Sequence, residues 1–218
     1  YIKILDEKSQ RLKQLTADLV EASKISSGNV KLDMQVIDLV ELVYQTSGEF
    51  NEKFEQKELT IVTKLPKTAV LIRADGRQLY RVIENLYNNV AKYALEKTRV
   101  YVDIAYVEEK VVFSIKNVSE HSLARENSNA GDLTERFIRG DSSRTTEGSG
   151  LGLSIAKSLT VLMGGVFDIK VDGDLFKASI TFPQYVDENS SNPKMEEPAS
   201  EDDYEIEELE PEERTEEE

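Results

Sequence analysis

Glu147-Gly-Ser-Gly-Leu-Gly-Leu-Ser154 leads directly into an apolar, helix-periodic run that ends at Met163. Gly148, Gly150 and Gly152 alternate with small or apolar residues, Leu151 among them. A glycine has no Cβ, so the backbone can approach a ligand closely at these positions. A helix start behind them offers unpaired N–H groups and the positive end of the helix dipole. Together these features form a phosphate site. A lone glycine-rich turn serves equally well as a tight helix entry, so the meaning of this one depends on what lies upstream.

Upstream lies Glu84-Asn-Leu-Tyr-Asn-Asn-Val-Ala-Lys-Tyr93. The stretch sits in a longer helical pattern that Asp75 can cap, with Leu79, Val82, Ile83, Leu86, Val90 and Ala94 on the apolar stripe. Asn85 and Asn89 are four apart and share a face, and Lys92 and Tyr93 follow one turn later. An Asn side chain offers a hard carbonyl oxygen suited to Mg2+. Lys92 offers a point charge for phosphate, and Tyr93 a flat face for a base. Asparagines are unfavourable inside helices, which argues for a role beyond meeting solvent. Between the two stretches, Leu133-Thr-Glu-Arg-Phe-Ile-Arg-Gly-Asp-Ser-Ser-Arg144 carries Arg136, Arg139 and Arg144 around the apolar Phe137 and Ile138. Arginines in such a cluster suit phosphate oxygens, although alone the segment reads as a charged amphipathic turn.

In this order and spacing the three stretches resemble the ATP-binding domain of sensor histidine kinases, in the superfamily shared with gyrase and the heat-shock chaperone ATPases. The asparagine helix is similar to the family's N box, Leu133–Arg144 to its F box and the glycine loop to its G2 box. The resemblance covers about residues 1–183. It implies an α/β fold, a two-layer sandwich of a mixed β-sheet and helices of the histidine kinase/gyrase type, with ATP held between the layers under a lid. It also implies roles. Asn89 matches the Mg2+ ligand and Asn85 lines the same pocket. Lys92 matches the phosphate-facing lysine and Tyr93 the residue beside adenine. Gly148, Gly150, Leu151 and Gly152 match the phosphate loop, and Arg139 and Arg144 match the arginines of the F box and lid. Asn85, Lys92, Arg139 and Arg144 would then form the catalytic set, with ATP and Mg2+ as cofactors.

One position departs from the family. Its G1 box is usually Asp-x-Gly-x-Gly, the Asp accepting a hydrogen bond from the adenine amino group. Here the strand-like Val111–Lys116 is followed by Asn117-Val-Ser-Glu-His-Ser122, with Asn117 for the Asp and Ser119 for the first Gly. An amide oxygen still accepts, but without a negative charge.

The chain is strongly acidic, with a net charge of −15, yet the charge is not spread evenly. Residues 186–218 hold 16 acidic and 2 basic side chains, a local charge of −14, which leaves the rest close to neutral. No basic patch of the kind nucleic-acid binding needs is visible. Without cysteine there is no disulfide framework and no thiolate metal site, which fits a cytoplasmic setting. No apolar run reaches 18 residues, so membrane attachment is expected only through segments outside this sequence. No signal peptide is read, and Tyr1 opens in mid-helix by pattern, so a fragment is expected.

Residues 1–29 read as a helix closed by Gly28-Asn29, with Leu5, Leu12, Leu15, Leu19 and Ala22 near a heptad seam. Arg11–Lys24 resembles the second helix of the histidine kinase dimerisation hairpin, which implies a homodimer through this helix and a phospho-accepting His upstream of Tyr1. Residues 30–185 then form the ATP-binding domain. Its expected strands are Val30–Ile37, Leu59–Lys64, Val70–Arg73, Arg99–Val107, Lys110–Lys116, Val166–Val171 and Phe176–Phe182, and its lid about 118–147. Residues 186–218, dense in Glu, are expected to be a disordered acidic tail. His121, the only histidine, lies in a loop-like segment and is not expected to be the phospho-acceptor. The reaction implied is transfer of the ATP γ-phosphoryl group to the upstream His, for relay to the receiver domain of a response regulator. The alternatives are another ATPase or serine kinase of the superfamily, and a catalytically degenerate nucleotide-binding scaffold.

Overall fold

The computed structural model describes residues 2–26, 28, 30–120, 151–186 and 204–209. Helix α1 (Ile2–Ser26) ends where expected, with the Gly28 N–H on the Ile25 carbonyl at 3.1 Å. Strand β1 (Gln35–Asp38) is shorter than the expected Val30–Ile37; residues 30–34 form no strand. Asp38 caps α2 (Leu39–Glu55), its carboxylate accepting from the N–H of Val40. Strands β2 (Thr60–Pro66) and β3 (Leu71–Ala74) follow, then α3 (Gly76–Tyr93), which carries the asparagine face. Strands β4 (Arg99–Val107) and β5 (Lys110–Val118) form a hairpin. The apolar run behind the glycine loop is helix α4 (Gly152–Leu162). Gly164, at φ 84°, supplies the left-handed residue that ends it. Strands β6 (Val166–Asp172) and β7 (Leu175–Pro183) form a second hairpin.

The main sheet is mixed, in the order β6-β7-β5-β4-β2; β2 and β4 run parallel and the other pairs antiparallel. Strands β1 and β3 form a separate antiparallel pair. One face of the sheet is apolar by strict alternation: Val100, Val102 and Ile104 on β4, Val111, Phe113 and Ile115 on β5, and Ala178, Ile180 and Phe182 on β7. Helices α2, α3 and α4 close over that face, and Leu79, Val82, Ile83, Leu86, Val90 and Ala94 are all fully buried, as the periodicity of α3 predicts. The two-layer α/β sandwich is therefore the fold that the described residues from Gln35 to Pro183 build.

Two features of the flanking segments go beyond the sequence reading. The tail was expected to be disordered, but Tyr204–Leu209 forms strand β8, antiparallel on the outer edge of β2. The rest of the tail beyond Val186 lies outside the described residues. In α1, Ala22 and Ile25 pack against the core and Asp18 pairs with Arg81 of α3 at 3.6 Å. Leu5, Leu12 and Leu19, spaced by seven, are instead 69%, 65% and 63% exposed. No described helix is long and apolar enough to cross a membrane.

Asp75 sets the position of α3. Its carboxylate accepts the N–H of Gln78 at 3.0 Å and that of Asp33, across the chain, at 2.8 Å. Burial opposes its charge, but the backbone donors outweigh burial and hold its pKa below the ordinary value. Asp75→Ala is expected to cost about 1–2 kcal/mol at neutral pH, as loss of a helix cap does. A carboxylate whose folded pKa is depressed stabilises above its unfolded pKa and loses that contribution as pH falls through the folded one. Urea titrations should therefore show the gap between Asp75→Ala and the parent narrowing as pH drops below the ordinary carboxylate range.

Candidate nucleotide site

The site forms where the C-terminal half of α3, the N-terminus of α4 and the end of β5 meet. Asn85 is half-buried, and its amide donates to the Arg81 carbonyl at 2.9 Å. This bond fixes the amide, and a Cβ placed on Gly152 would come within 3.0 Å of its Oδ1. A side chain at position 152 would push this amide back by a few tenths of an ångström, so glycine favours the close approach of α4 to Asn85. The asparagine helix and the last glycine of the loop, 67 positions apart in sequence, are thus brought into contact.

Helix α4 begins at Gly152 behind Leu151, whose side chain has no acceptor to cap the helix. The Leu151 carbonyl takes the N–H of Ile155 and the hydroxyl of Ser154, closing the first turn. The first N–H groups of α4 thus have no acceptor from the residue before it, as an anion site requires.

At the other end of α3, Asn89, Lys92 and Tyr93 are half-buried. Lys92 Nζ lies 4.7 Å from the Tyr93 ring centroid. The Tyr93 carbonyl accepts the N–H of Glu120, Ala94 bridges Ser119, and the N–H of Leu95 reaches the Val118 carbonyl. These contacts tie Tyr93 to the end of β5, where Asn117 sits. Lys57 secures the same junction, donating from Nζ to the carbonyls of Lys92 and Ala94 at 3.0 and 3.2 Å. No local pattern points to Lys57, which reaches the site from 35 residues upstream of Lys92.

Asn117 is 2% exposed, and its Nδ2 donates to the Val118 carbonyl at 2.9 Å. Its Oδ1 is buried and has no hydrogen-bond partner among the described residues. A buried acceptor left this way is costly, and an incoming donor would relieve the cost. Asn117, the position of the G1 departure, thus presents an acceptor and no charge. The described residues hold no cluster of three His, Cys, Asp or Glu. Gly148, Gly150, Arg139, Arg144, His121 and nearly all of the expected lid lie outside the described residues.

Residues 74–194 match the model of the "Histidine kinase-, DNA gyrase B-, and HSP90-like ATPase" family. The match spans more than half of the chain, and the chain belongs to that family. Among its relatives, the alginate biosynthesis sensor protein KinB of Pseudomonas aeruginosa is 28% identical over 164 residues, 75% of this chain and 27% of that protein. The sensor histidine kinase WalK of Bacillus subtilis is 24% identical over 186 residues, 84% of this chain and 30% of that protein. This chain spans well under half the length of these relatives. In fold it is similar to full-length ShkA, solved in complex with AMPPNP, with a TM-score of 0.70 and 22% identity over 84% of this chain and 38% of that one. It is also similar to the Acinetobacter baumannii histidine kinase AdeS, with a TM-score of 0.68 and 18% identity over 84% and 83% of the two chains.

Proposed function

We propose that this chain is the ATP-binding catalytic core of a sensor histidine kinase, a protein phosphotransferase acting in a two-component system. The observation that carries the reading is that α3 holds the Asn85–Gly152 approach at the start of α4 and, at its C-terminal end, the junction with β5 beside the buried Asn117 Oδ1. These groups fit the two ends of ATP. The buried Asn117 acceptor suits the adenine amino group, Tyr93 offers the base a flat face, and the start of α4 suits the phosphates. Asn89 would contribute an amide oxygen to Mg2+, and Lys92 a charge near the phosphates. Arg139, Arg144, Gly148 and Gly150 would complete the phosphate site. Mg-ATP, when bound, supplies the phosphoryl group, and the chain's own work is positioning and neutralising charge.

The acceptor histidine would lie on a helix upstream of Tyr1. The exposed Leu5, Leu12 and Leu19 seam supports dimerisation through α1, because an apolar stripe at heptad spacing is buried by a second helix. The phosphorylated histidine would then serve a response regulator receiver domain, in the cytoplasm.

The Asn117 acceptor provides the test. Asn117→Leu should weaken ATP binding by ~1–3 kcal/mol, the cost of stranding a buried donor, which is roughly 5- to 150-fold in dissociation constant. Calorimetric titration with ATP measures this directly. An unchanged constant would mean that adenine is read elsewhere.

A further inference from the structure

The face of the sheet away from the helices carries an unusual row. Lys170 of β6 stands directly opposite Lys177 of β7, and Lys177 directly opposite Lys116 of β5. Like charges paired directly across strands destabilise a sheet, and here two such pairs are joined in series. The row continues through Tyr101 of β4, whose ring lies 4.7 Å from Lys116 Nζ, to Val62 of β2 and then to Glu208 of β8. None of the three lysines closes an ion pair within 4 Å among the described residues. Besides Glu208 at the far end of the row, three carboxylates share the face: Asp103, with its pKa raised mainly by burial and in the field of Lys116 and Lys177, and the exposed Asp168 and Asp172 two residues either side of Lys170. They flank the row without entering it.

The tail meets this row end-on. Strand β8 finishes at Leu209, opposite Ile61, one residue beyond the row. The next nine residues, 210–218, hold six glutamates and one arginine. From β8 to β6 is five strand intervals, roughly 24 Å at the usual strand spacing. Nine extended residues reach roughly 30 Å.

The geometry points to residues 210–218 as the ligand of this row: this acidic stretch crosses the open face of its own sheet and neutralises Lys116, Lys177 and Lys170. Charge complementarity, reach and point of departure agree on this occupant. The row is therefore a site for acidic, extended polypeptide, and any acidic partner that uses it must first displace residues 210–218.

The chain has no cysteine, so Glu217→Cys gives one site for a nitroxide label. In the 15N-labelled full chain at low ionic strength, amide signals around Lys116, Lys177 and Lys170 should lose at least half their intensity. They should recover in 0.5 M NaCl, where the screening length falls to roughly 4 Å. They should also recover in the Lys116→Gln, Lys170→Gln, Lys177→Gln triple variant. A second variant leaves the folded domain untouched: Glu→Gln at 210, 212, 213, 216 and 218 should abolish the broadening as well. Signals undisturbed at low salt, or broadening that survives tail neutralisation, would overturn the proposal. So would equal broadening when labelled copies carrying no 15N are mixed with unlabelled 15N chain, because the occupant would then be a second copy.

Discussion

Asn89→Ala is expected to remove most of the Mg2+-linked affinity for ATP, and Asn88→Ala to leave it near the parent value. The two residues are adjacent in sequence but stand on different faces of α3. Asn88 is exposed and accepts from Lys53 Nζ at 3.1 Å, away from the glycine loop. Asn89 is half-buried, one turn beyond Asn85, whose Oδ1 meets Gly152. Mg2+ keeps several waters and commonly takes its other ligands from substrate phosphates, with only one or two from the protein. The amide oxygen of Asn89 then has no described substitute. Changing residues that only support a metal ligand commonly costs 10–100-fold, so removing the ligand itself should cost at least about tenfold. Calorimetric titrations of both variants with ATP, with and without Mg2+, measure the effect. Equal losses for Asn88→Ala and Asn89→Ala would remove the Mg2+ role from Asn89.

The sequence read this helix well for a physical reason. The apolar stripe of α3 and its Asp75 cap are local signals, and both landed as expected. The turn at Gly164 and the hairpin of β4 and β5 were legible for the same reason. Juxtapositions across the fold were not. Nothing local tells that Gly152 faces Asn85, or that Lys57 closes the end of α3. Strand β8 was missed because the weight of glutamate in the tail reads as disorder. Its signal was present in Tyr204-Glu-Ile-Glu, an apolar–acidic alternation of period two that suits a strand.

Asn117 shows how the structure can change the meaning of a substitution. From sequence alone, Asn117→Asp restores the usual residue of the family and should keep or improve ATP binding. In the fold, Asn117 Nδ2 donates to the Val118 carbonyl, which an ionised Asp cannot do. The carboxylate would sit almost fully buried against a carbonyl oxygen. Any gain in reading adenine is therefore set against a loss in the free protein, and affinity and stability should be measured together.

The largest loss of stability is expected from Tyr87→Ala, about 3–5 kcal/mol as for large aromatic truncations in cores. Tyr87 is fully buried on the back of α3, between the two asparagines in sequence. Its ring stacks on Phe54 at 6.0 Å and 4° and tilts against Phe50 at 5.3 Å and 56°, joining α3 to α2. Its hydroxyl lies 2.8 Å from Ser47 Oγ, and burial pushes its pKa well above the usual tyrosine range. A domain stable by only 5–15 kcal/mol can lose half or more of that margin here. Tyr87→Phe separates packing from hydrogen bonding. It keeps the ring, strands the buried Ser47 hydroxyl and should cost about 1–2 kcal/mol. Adding Ser47→Ala should then cost less than the separate losses summed, because the stranded group is gone. Urea midpoints at constant m-value measure the parent, Tyr87→Ala, Tyr87→Phe, Ser47→Ala and the double variant, and saturating Mg-ATP should raise the midpoint of Tyr87→Phe if the asparagine face stays intact. A Tyr87→Ala midpoint equal to that of the parent would mean that the α2–α3 seam does not hold the asparagine face in place.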